Sequence, residues 1–325
     1  MSDGEELPSV EIGTHTFPQR LLHAFLTPSE LRTFVQTKAV GGDADLLAKL
    51  LDERDALQSD VARLAETEAG MADTIGIEPI PADHQDRAAR LLDDPLVERA
   101  FSLPVDAVMV EISKLVAPQR SVNLEYVEKL ISKYPSQPTL DDLLTICLSC
   151  RGQVEPVQHM EMQQPQPPSD MANAPNVVHV FSSPDPGLRF LGAFMAEGPD
   201  PEDAPFLGAG LPAAAVVAVV GYGLSPVNVV VAGRRAVIHN GFHRLYALRQ
   251  MGVTHAPVVA AYARDPKFDV PSNLVGMSRE HLLESPRPVL MKDFSEPRFG
   301  VTLDVAEQLK VVTVQVNASG MTVPA

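Results

Sequence analysis

The residue types that could bind an anion lie together in the segment 237–252, VIHNGFHRLYALRQMG. The apolar residues before Asn240-Gly241 predict a strand, and those from Arg244 to Met251 predict a helix that Gly252 ends. The first turn of a helix has unpaired backbone N–H groups and a partial positive charge, so it favours a negatively charged ligand. The segment therefore predicts an anion-binding turn between a strand and a helix.

Four residues of this turn have suitable chemistry: Asn240, Gly241, His243 and Arg244. Glycine lets the backbone approach a ligand closely. The guanidinium of Arg244 offers a planar fork of donors to a phosphate or carboxylate, and His243 adds a hydrogen bond or a switchable charge. We predict a phosphate-binding turn, although no P-loop pattern GxxxxGK[ST] is present. The alternative is a structural turn whose arginine forms a salt bridge with an acidic surface.

Other reactive residues favour structural interpretations. His239, His243 and His255 do not share a helix face, and no cysteine or carboxylate completes a ligand set at recognisable spacing, so we expect no protein-bound metal. Cys147 and Cys150 form a CxxC pair at the end of an apolar helix. They are either a redox dithiol or half a zinc site, or two buried small side chains, and we favour burial.

The arginine pair Arg234-Arg235 occupies a predicted hairpin turn. It either is a solvated pair or extends a positive patch toward Arg244. No GxSxG, HExxH or GxGxxG pattern accompanies these residues, so hydrolase, zinc-protease and Rossmann chemistry have no support.

The elements that position the turn follow from local patterns. A hairpin over 227–231 and 235–239 leads into it, and a strand over 257–262 follows its helix. Upstream, the patterns predict a strand, two helices and a second strand: 107–112, 123–133, 140–150 (with Thr139 as N-cap) and 154–159.

This upstream part and the turn segment are similar to the ParB/sulfiredoxin-like superfamily. The likeness rests on the turn 240–244 with Gly252 and the strand at 257–259, and more weakly on 110–131 and 152–157. It implies a nucleotide pocket in which Gly241, His243 and Arg244 contact phosphates, with ATP, ADP or CTP and Mg²⁺ as the expected ligands.

Activities in that superfamily differ, and several residues here restrict them. Phe242 stands where sulfiredoxins have a catalytic cysteine, so repair of sulfinic acids is excluded. Gln119 lies near the position where free-serine kinases of this fold have a glutamate, and glutamine cannot act as a general base. Glu111 and Glu125 are the nearby carboxylates. We therefore expect either a phosphotransferase or a nucleotide-gated switch, with the general base unassigned.

The remaining chain is divided by composition. Helices are predicted over 27–38, from Asp43 or Asp45, and over 83–94. The second has an apolar stripe at Leu47, Leu50, Leu51, Leu57, Val61 and Leu64, which favours packing within the chain over a dimerising helix.

A Pro-rich linker is predicted over 163–176, followed by a strand over 177–181 and a strand or short helix over 188–197. The segment 213–220 predicts an apolar helix or a buried strand. The tail predicts a helix at 278–284, another near 305–309 and a strand at 310–316.

We predict an α+β fold in three parts. These are a helical region at 1–103, a ParB/sulfiredoxin-like domain at 104–265 with a Pro-rich insertion at about 160–210, and an extension at 266–325. The alternative function is a non-catalytic scaffold that self-associates or binds a protein through its N-terminal helices.

Charge and composition restrict the classes of partner and the compartment that we expect. The 325 residues include 26 Lys+Arg and 42 Asp+Glu, a net charge of −16 that disfavours DNA in the absence of a basic helix-turn-helix module. Two cysteines, an acidic N-terminus without an apolar signal, and no apolar run long enough for a bilayer predict a cytoplasmic protein without membrane contact.

Overall fold

The chain is a mixed α+β protein. The computed structural model describes residues 15–149, 157–163, 177–184, 187–198, 214–223, 226–270, 272–274 and 276–315. Its strands are β1 (Thr16–Leu21), β2 (Ile77–Pro79), β3 (Val105–Glu111), β4 (Ser121–Asn123), β5 (Gln158–Gln163), β6 (Val177–Ser183), β7 (Leu188–Glu197), β8 (Ala214–Tyr222), β9 (Asn228–Ala232), β10 (Arg235–Asn240), β11 (His255–Tyr262), β12 (Asn273–Leu274), β13 (Met277–Ser278), β14 (Val301–Ala306) and β15 (Lys310–Gln315). Its α-helices are α1 (Pro28–Thr37), α2 (Ala44–Thr67), α3 (Gln85–Leu92), α4 (Pro95–Ala100), α5 (Leu124–Lys133), α6 (Leu140–Leu148), α7 (Phe242–Gln250), α8 (Pro266–Asp269) and α9 (Arg279–Glu284).

The chain separates into two compact units. The first comprises Met1–Gly152 and Leu224–Glu307, and the second comprises Gln153–Gly223 and Gln308–Ala325. The boundaries differ from the three-part division expected from composition. The N-terminal helices and most of the C-terminal extension belong to the same unit as the predicted turn, because they supply part of its core.

A five-stranded sheet with the order β10-β9-β11-β3-β2 is the centre of the first unit. β9 is parallel to β11 and antiparallel to β10, and β3 is antiparallel to both β11 and β2. β9 is buried throughout and β11 nearly so, as expected for central strands. The sheet packs against apolar residues of α5, α6 and α7 in one continuous core that also includes Leu22, Ala88 and Phe299.

A second sheet joins the two ends of this unit in the order β14-β1-β4. α1 and α2 cover it through a smaller apolar cluster that contains Leu21, Leu31 and Leu50. The α2 stripe is used within the chain, because Leu57, Val61 and Leu64 pack on the main core and Leu47 and Leu51 on the smaller cluster. The interpretation of α2 as a helix packed against its neighbours is confirmed.

The second unit contains two small antiparallel sheets, one with the order β15-β6-β5 and one formed by β7 and β8. The β7–β8 hairpin exposes large apolar side chains. Phe194, Met195 and Val216 are 56, 67 and 63% exposed.

Most local predictions are confirmed where a cap or a turn residue marks the element. Thr27 and Thr139 form capping boxes, and the side chains of Asp43, Asn123 and Ser278 cap their helices as N-caps. The hairpin at 227–239, the helix after it and the strand at 257–262 are present. The predicted linker falls mostly on 164–176 and the start of the predicted strand 154–159 on 154–156, which both lie outside the described residues.

Two local predictions are wrong, and a third is right in part. No helix forms near 305–309: Val305 and Ala306 end β14, which pairs with β1, and residues 307–309 lie between β14 and β15. The region 1–103 is not wholly helical, since it contributes β1 and β2. The segment 214–222 is a strand, which was one of the two predicted alternatives, but none of its side chains is buried.

Candidate functional site

The predicted turn connects β10 to α7 through Gly241, whose φ is +87°. A Cβ at this position would lie 2.7 Å from Cγ2 of Val227 and 3.0 Å from its Cα. Both the left-handed backbone and the contact with the start of β9 therefore require glycine. This close approach is between two segments of the chain itself.

Asn240 holds the turn in place from one side. Its Oδ1 accepts a hydrogen bond from the Gly241 N–H at 2.8 Å, and its Nδ2 donates to the carbonyl oxygen of Pro226 at 3.4 Å. The side chain thus satisfies the Gly241 amide and ties the end of β10 to the residues before β9.

His243 joins α7 to the start of α5. Its Nε2 accepts a hydrogen bond from the Asn123 N–H at 3.3 Å, which places the ring proton on Nδ1. The ring also makes edge-to-face contacts with Tyr126 and Phe242. Burial lowers the pKa of His243 to about 4, so the ring is neutral at physiological pH. A hydrogen-bonding role fits this environment, and a charge switch near neutral pH does not.

Arg244 reaches toward α6. Its Nη1 donates a hydrogen bond to the carbonyl oxygen of Ile146 at 3.1 Å, in the last turn of that helix. A cation at this place compensates the partial negative charge of the helix C-terminus. Arg244 therefore has a structural contact that is independent of any ligand.

The start of α7 offers backbone amides as further groups that could bind an anion. The first hydrogen bond within α7 runs from the Leu245 N–H to the Gly241 carbonyl, so the amides of Phe242 and His243 have no acceptor inside the helix. Among the described residues no side chain caps this end of α7. The turn thus retains the capacity to bind an anion through its backbone.

The two candidate carboxylates differ in position. Glu125 lies in the first turn of α5, two residues after the Asn123 amide that contacts His243. Glu111 ends β3, which is three strand spacings from β10, about 14 Å across the sheet. The structure therefore brings Glu125, and not Glu111, to the element beside the turn.

Both carboxylates are ionised in their surroundings. The Ser113 hydroxyl hydrogen-bonds to Glu111 and Lys114 pairs with it, and together they lower the pKa of Glu111 against the opposing effect of burial. A hydrogen bond from Lys129 is the main cause of the lowered pKa of Glu125, and His15 contributes through a contact at 3.1 Å. Gln119 is directed elsewhere, since its Nε2 donates to the Ser121 carbonyl at 2.7 Å.

The arginine pair does not form one patch with the turn. Arg235 is buried and binds Asp73 through Nε at 2.6 Å, while Arg234 is exposed at the hairpin turn. The hydrogen bond from Arg235 is the main cause of the lowered pKa of Asp73. Arg235 therefore stabilises the fold, and its side chain is not directed to the turn.

The three histidines considered as metal ligands have separate partners. His239 contacts the Asn228 amide oxygen at 2.9 Å, and His255 contacts the Thr254 hydroxyl at 3.0 Å. Cys147 is fully buried, and burial raises its pKa to about 12, which fits the interpretation as a small core residue. Cys150 lies outside the described part of the chain.

One cluster was missed by the sequence analysis. His159, Glu161 and His179 place ligand atoms within 4.8 Å of one another, and this is the one such group among the residues that the structure describes. The signal was the His-x-Glu spacing in one strand and a histidine in the next, which becomes a cluster only once the pairing of the strands is known.

A cavity of about 500 Å³ lies at the opposite end of α7 from the turn. Arg20, Tyr246, Arg249, Thr254 and Ser295 are among its lining residues. Arg249 donates to the Ser295 hydroxyl at 3.0 Å, and Arg20 to the Glu296 carbonyl at 2.8 Å. Its two arginines make it the alternative place for an anion on this unit.

Comparison of this chain with known protein families, with curated proteins and with solved structures gives no match. Among the described residues, none of the helices combines the length and the apolar character that a bilayer crossing requires.

Proposed function

We propose that the protein binds a nucleotide or another phosphorylated small molecule at the strand-to-helix turn Asn240–Arg244. The observation that carries this proposal is the uncapped first turn of α7, which follows a glycine that no other residue can replace without strain. Amides at such a position favour phosphate oxygens. The side chain of Tyr126 is 48% exposed beside His243 and offers an aromatic surface to a base.

The order of elements supports a ParB/sulfiredoxin-like type for this part of the chain. A hairpin leads into the turn, a helix follows, and β11 returns beside β9. Backbone amides replace the Arg244 side chain as the main phosphate-binding groups, because Arg244 is bonded to α6. A phosphotransferase would use Glu125 before Glu111 as its base, and a nucleotide-gated switch would need neither.

The test must separate ligand binding from the stability of the turn. Arg244→Ala is unsuitable because it also removes the contact with Ile146. Asn240→Asp is better, because of the two hydrogen bonds described above it loses only the long 3.4 Å bond to Pro226, and its oxygen can still accept from the Gly241 amide, while a carboxylate at the helix N-terminus repels phosphate. Gln250→Glu, at the other end of α7, adds the same charge and is the matched control.

The measurement is thermal stabilisation by ATP, ADP, CTP and GTP, with and without Mg²⁺. Ligand at about 100 times its Kd adds roughly 2.7 kcal/mol of stability. We expect one nucleotide to stabilise the wild type and Gln250→Glu, and to bind at least tenfold more weakly to Asn240→Asp. A loss in Gln250→Glu alone would place the anion in the cavity beside Arg249, and no stabilisation by any nucleotide would contradict the proposal.

A second candidate, a non-catalytic scaffold, is favoured by the exposed β7–β8 hairpin rather than by the N-terminal helices. Removal of residues 1–100 is no test of it, because α1 and α2 supply core residues. The double variant Phe194→Ser/Met195→Ser should abolish self-association measured by sedimentation over a range of concentrations. Phe268→Ser removes an isolated exposed phenylalanine of the first unit and is the control.

A further inference from the structure

We propose that His159, Glu161 and His179 of the second unit form a binding site for a zinc-type divalent metal ion. This site is independent of the nucleotide proposal, since none of its residues belongs to the unit that contains the turn. The chemistry is that of two imidazole nitrogens and one carboxylate, which is a ligand set used for Zn²⁺.

The pairing of β5 with β6 dictates the cluster. Glu161 lies directly opposite His179, and His159 lies opposite Phe181. Residues two apart in a strand point to the same face, so His159 and Glu161 share the face of β5 that meets His179. The regular register of the two strands therefore holds all three side chains on one side of the sheet.

The distances suit a single ion. Nε2 of His159 is 3.2 Å from Nδ1 of His179, and the same Nδ1 is 3.7 Å from Oε1 of Glu161. Zinc–nitrogen bonds of about 2.0–2.1 Å at tetrahedral angles place two ligand atoms about 3.3–3.4 Å apart. Small side-chain rotations would bring the three atoms into a coordination sphere.

Aromatic stacking supports one ring, and the site is accessible. Phe181 stacks on the His159 ring with centroids 4.7 Å apart, and the two imidazoles are stacked at 5.4 Å. His159 and Glu161 are exposed and His179 is partly buried. Three protein ligands in such a position leave at least one coordination place for water or an exogenous ligand, as in open zinc sites.

The ligand types select the metal. Mg²⁺ and Ca²⁺ prefer oxygen ligands throughout, whereas imidazole suits Zn²⁺, Ni²⁺ and Cu²⁺. The ion would also link β5 to β6, which are separated in the sequence by residues 164–176, so binding should raise the thermal stability of the second unit.

The experiment uses the full chain, purified without a polyhistidine tag and freed of metal with a chelator. Zn²⁺ is titrated in competition with a chromophoric chelator, and Co²⁺ reports ligand geometry through its visible absorption. We expect one Zn²⁺ per chain in the wild type, with binding at least 100-fold weaker in His159→Gln/His179→Gln and at least tenfold weaker in Glu161→Gln. His255→Gln and Glu197→Gln, exposed changes of the same types, should bind like the wild type.

Circular dichroism of each variant should show a retained fold. The proposal is overturned if the wild type binds no Zn²⁺, or if the double histidine variant binds it as tightly as the wild type.

Discussion

Substitution of Gly241 by alanine tests the architecture of the turn before any ligand is involved. Gly241 and Gly252 both have a φ of +87°, and they lie at the two ends of the same helix. They differ in their surroundings. A Cβ on Gly241 would meet Val227 at 2.7 Å, whereas a Cβ on Gly252 would find nothing within 4 Å. Gly252→Ala is therefore a matched control for the backbone conformation.

The expected losses of stability follow from the left-handed backbone, which both variants share, and from the contact with Val227, which only Gly241→Ala makes. A left-handed backbone costs a non-glycine residue roughly 1–2 kcal/mol, and alanine recovers about 0.4–1 kcal/mol by restricting the unfolded chain. This net cost applies to both variants. An extra methyl group in a packed site adds about 1–3 kcal/mol. We expect Gly241→Ala to lower the free energy of unfolding by about 1–3 kcal/mol more than Gly252→Ala.

The assay is chemical denaturation of both variants, followed by fluorescence and circular dichroism so that separate transitions of the two units are recognised. Val227→Ala in the Gly241→Ala background removes the methyl group of the closest contact and should recover part of the loss, measured as a coupling in a double-mutant cycle. Equal destabilisation by Gly241→Ala and Gly252→Ala would refute the reasoning, because it would mean that Val227 does not restrict the turn.

Three further predictions concern buried groups of the same unit. Because the pKa of His243 is lowered to about 4, the folded state binds fewer protons than the unfolded state between pH 4 and 6.5. The free energy of unfolding should therefore not be reduced by His243 above pH 6.5, and it should fall by up to about 3 kcal/mol toward pH 4. The variant His243→Gln should remove this loss, and His255→Gln should retain it. Asp293 is fully buried and binds Arg287 through two hydrogen bonds at 2.6 and 2.9 Å. Asp293→Ala should lower the free energy of unfolding by about 3–5 kcal/mol, because it leaves a buried guanidinium with fewer partners. In the same denaturation assay, substitution of the exposed Asp304 by alanine should change it by less than about 0.5 kcal/mol. In a Cys150→Ser variant the single remaining thiol, Cys147, should be inert to a thiol reagent until denaturant is added, and rapid reaction of the native protein would contradict its burial.

Local signals in the sequence predicted the local structure well. A hydroxyl, carboxylate or amide at Thr27, Asp43, Asn123 and Ser278 binds a backbone amide three residues later, so the information needed to start each helix lies within one turn. The helix α7 and the hairpin before it were predicted for the same reason. Their patterns are complete within about 25 residues.

Contacts between distant segments could not be predicted in this way. The strand pairing of β1 with β14 joins the two ends of the first unit, and it converts a predicted helix near 305 into a strand. Arg235 hydrogen-bonds to Asp73, which is 162 residues away in the sequence, and Arg244 hydrogen-bonds to Ile146, which is 98 residues away. The zinc-type cluster also depends on strand register. A single sequence contains no signal for which of many distant partners a side chain will meet.

These distant contacts change what the motif at 240–244 means. Asn240 binds the Gly241 amide, Gly241 fits against Val227, and His243 and Arg244 bind Asn123 and Ile146. Each of these residues thus has a structural role that accounts for its residue type without any ligand. Folding also accounts for the glycine before α7, because Val227 excludes a larger residue there and glycine at an N-cap costs only a few tenths of a kcal/mol relative to Ser, Thr, Asp or Asn. The amides of Phe242 and His243 have no acceptor inside the helix, so an anion bound there would cap α7, and the comparison of Asn240→Asp with Gln250→Glu measures whether one does.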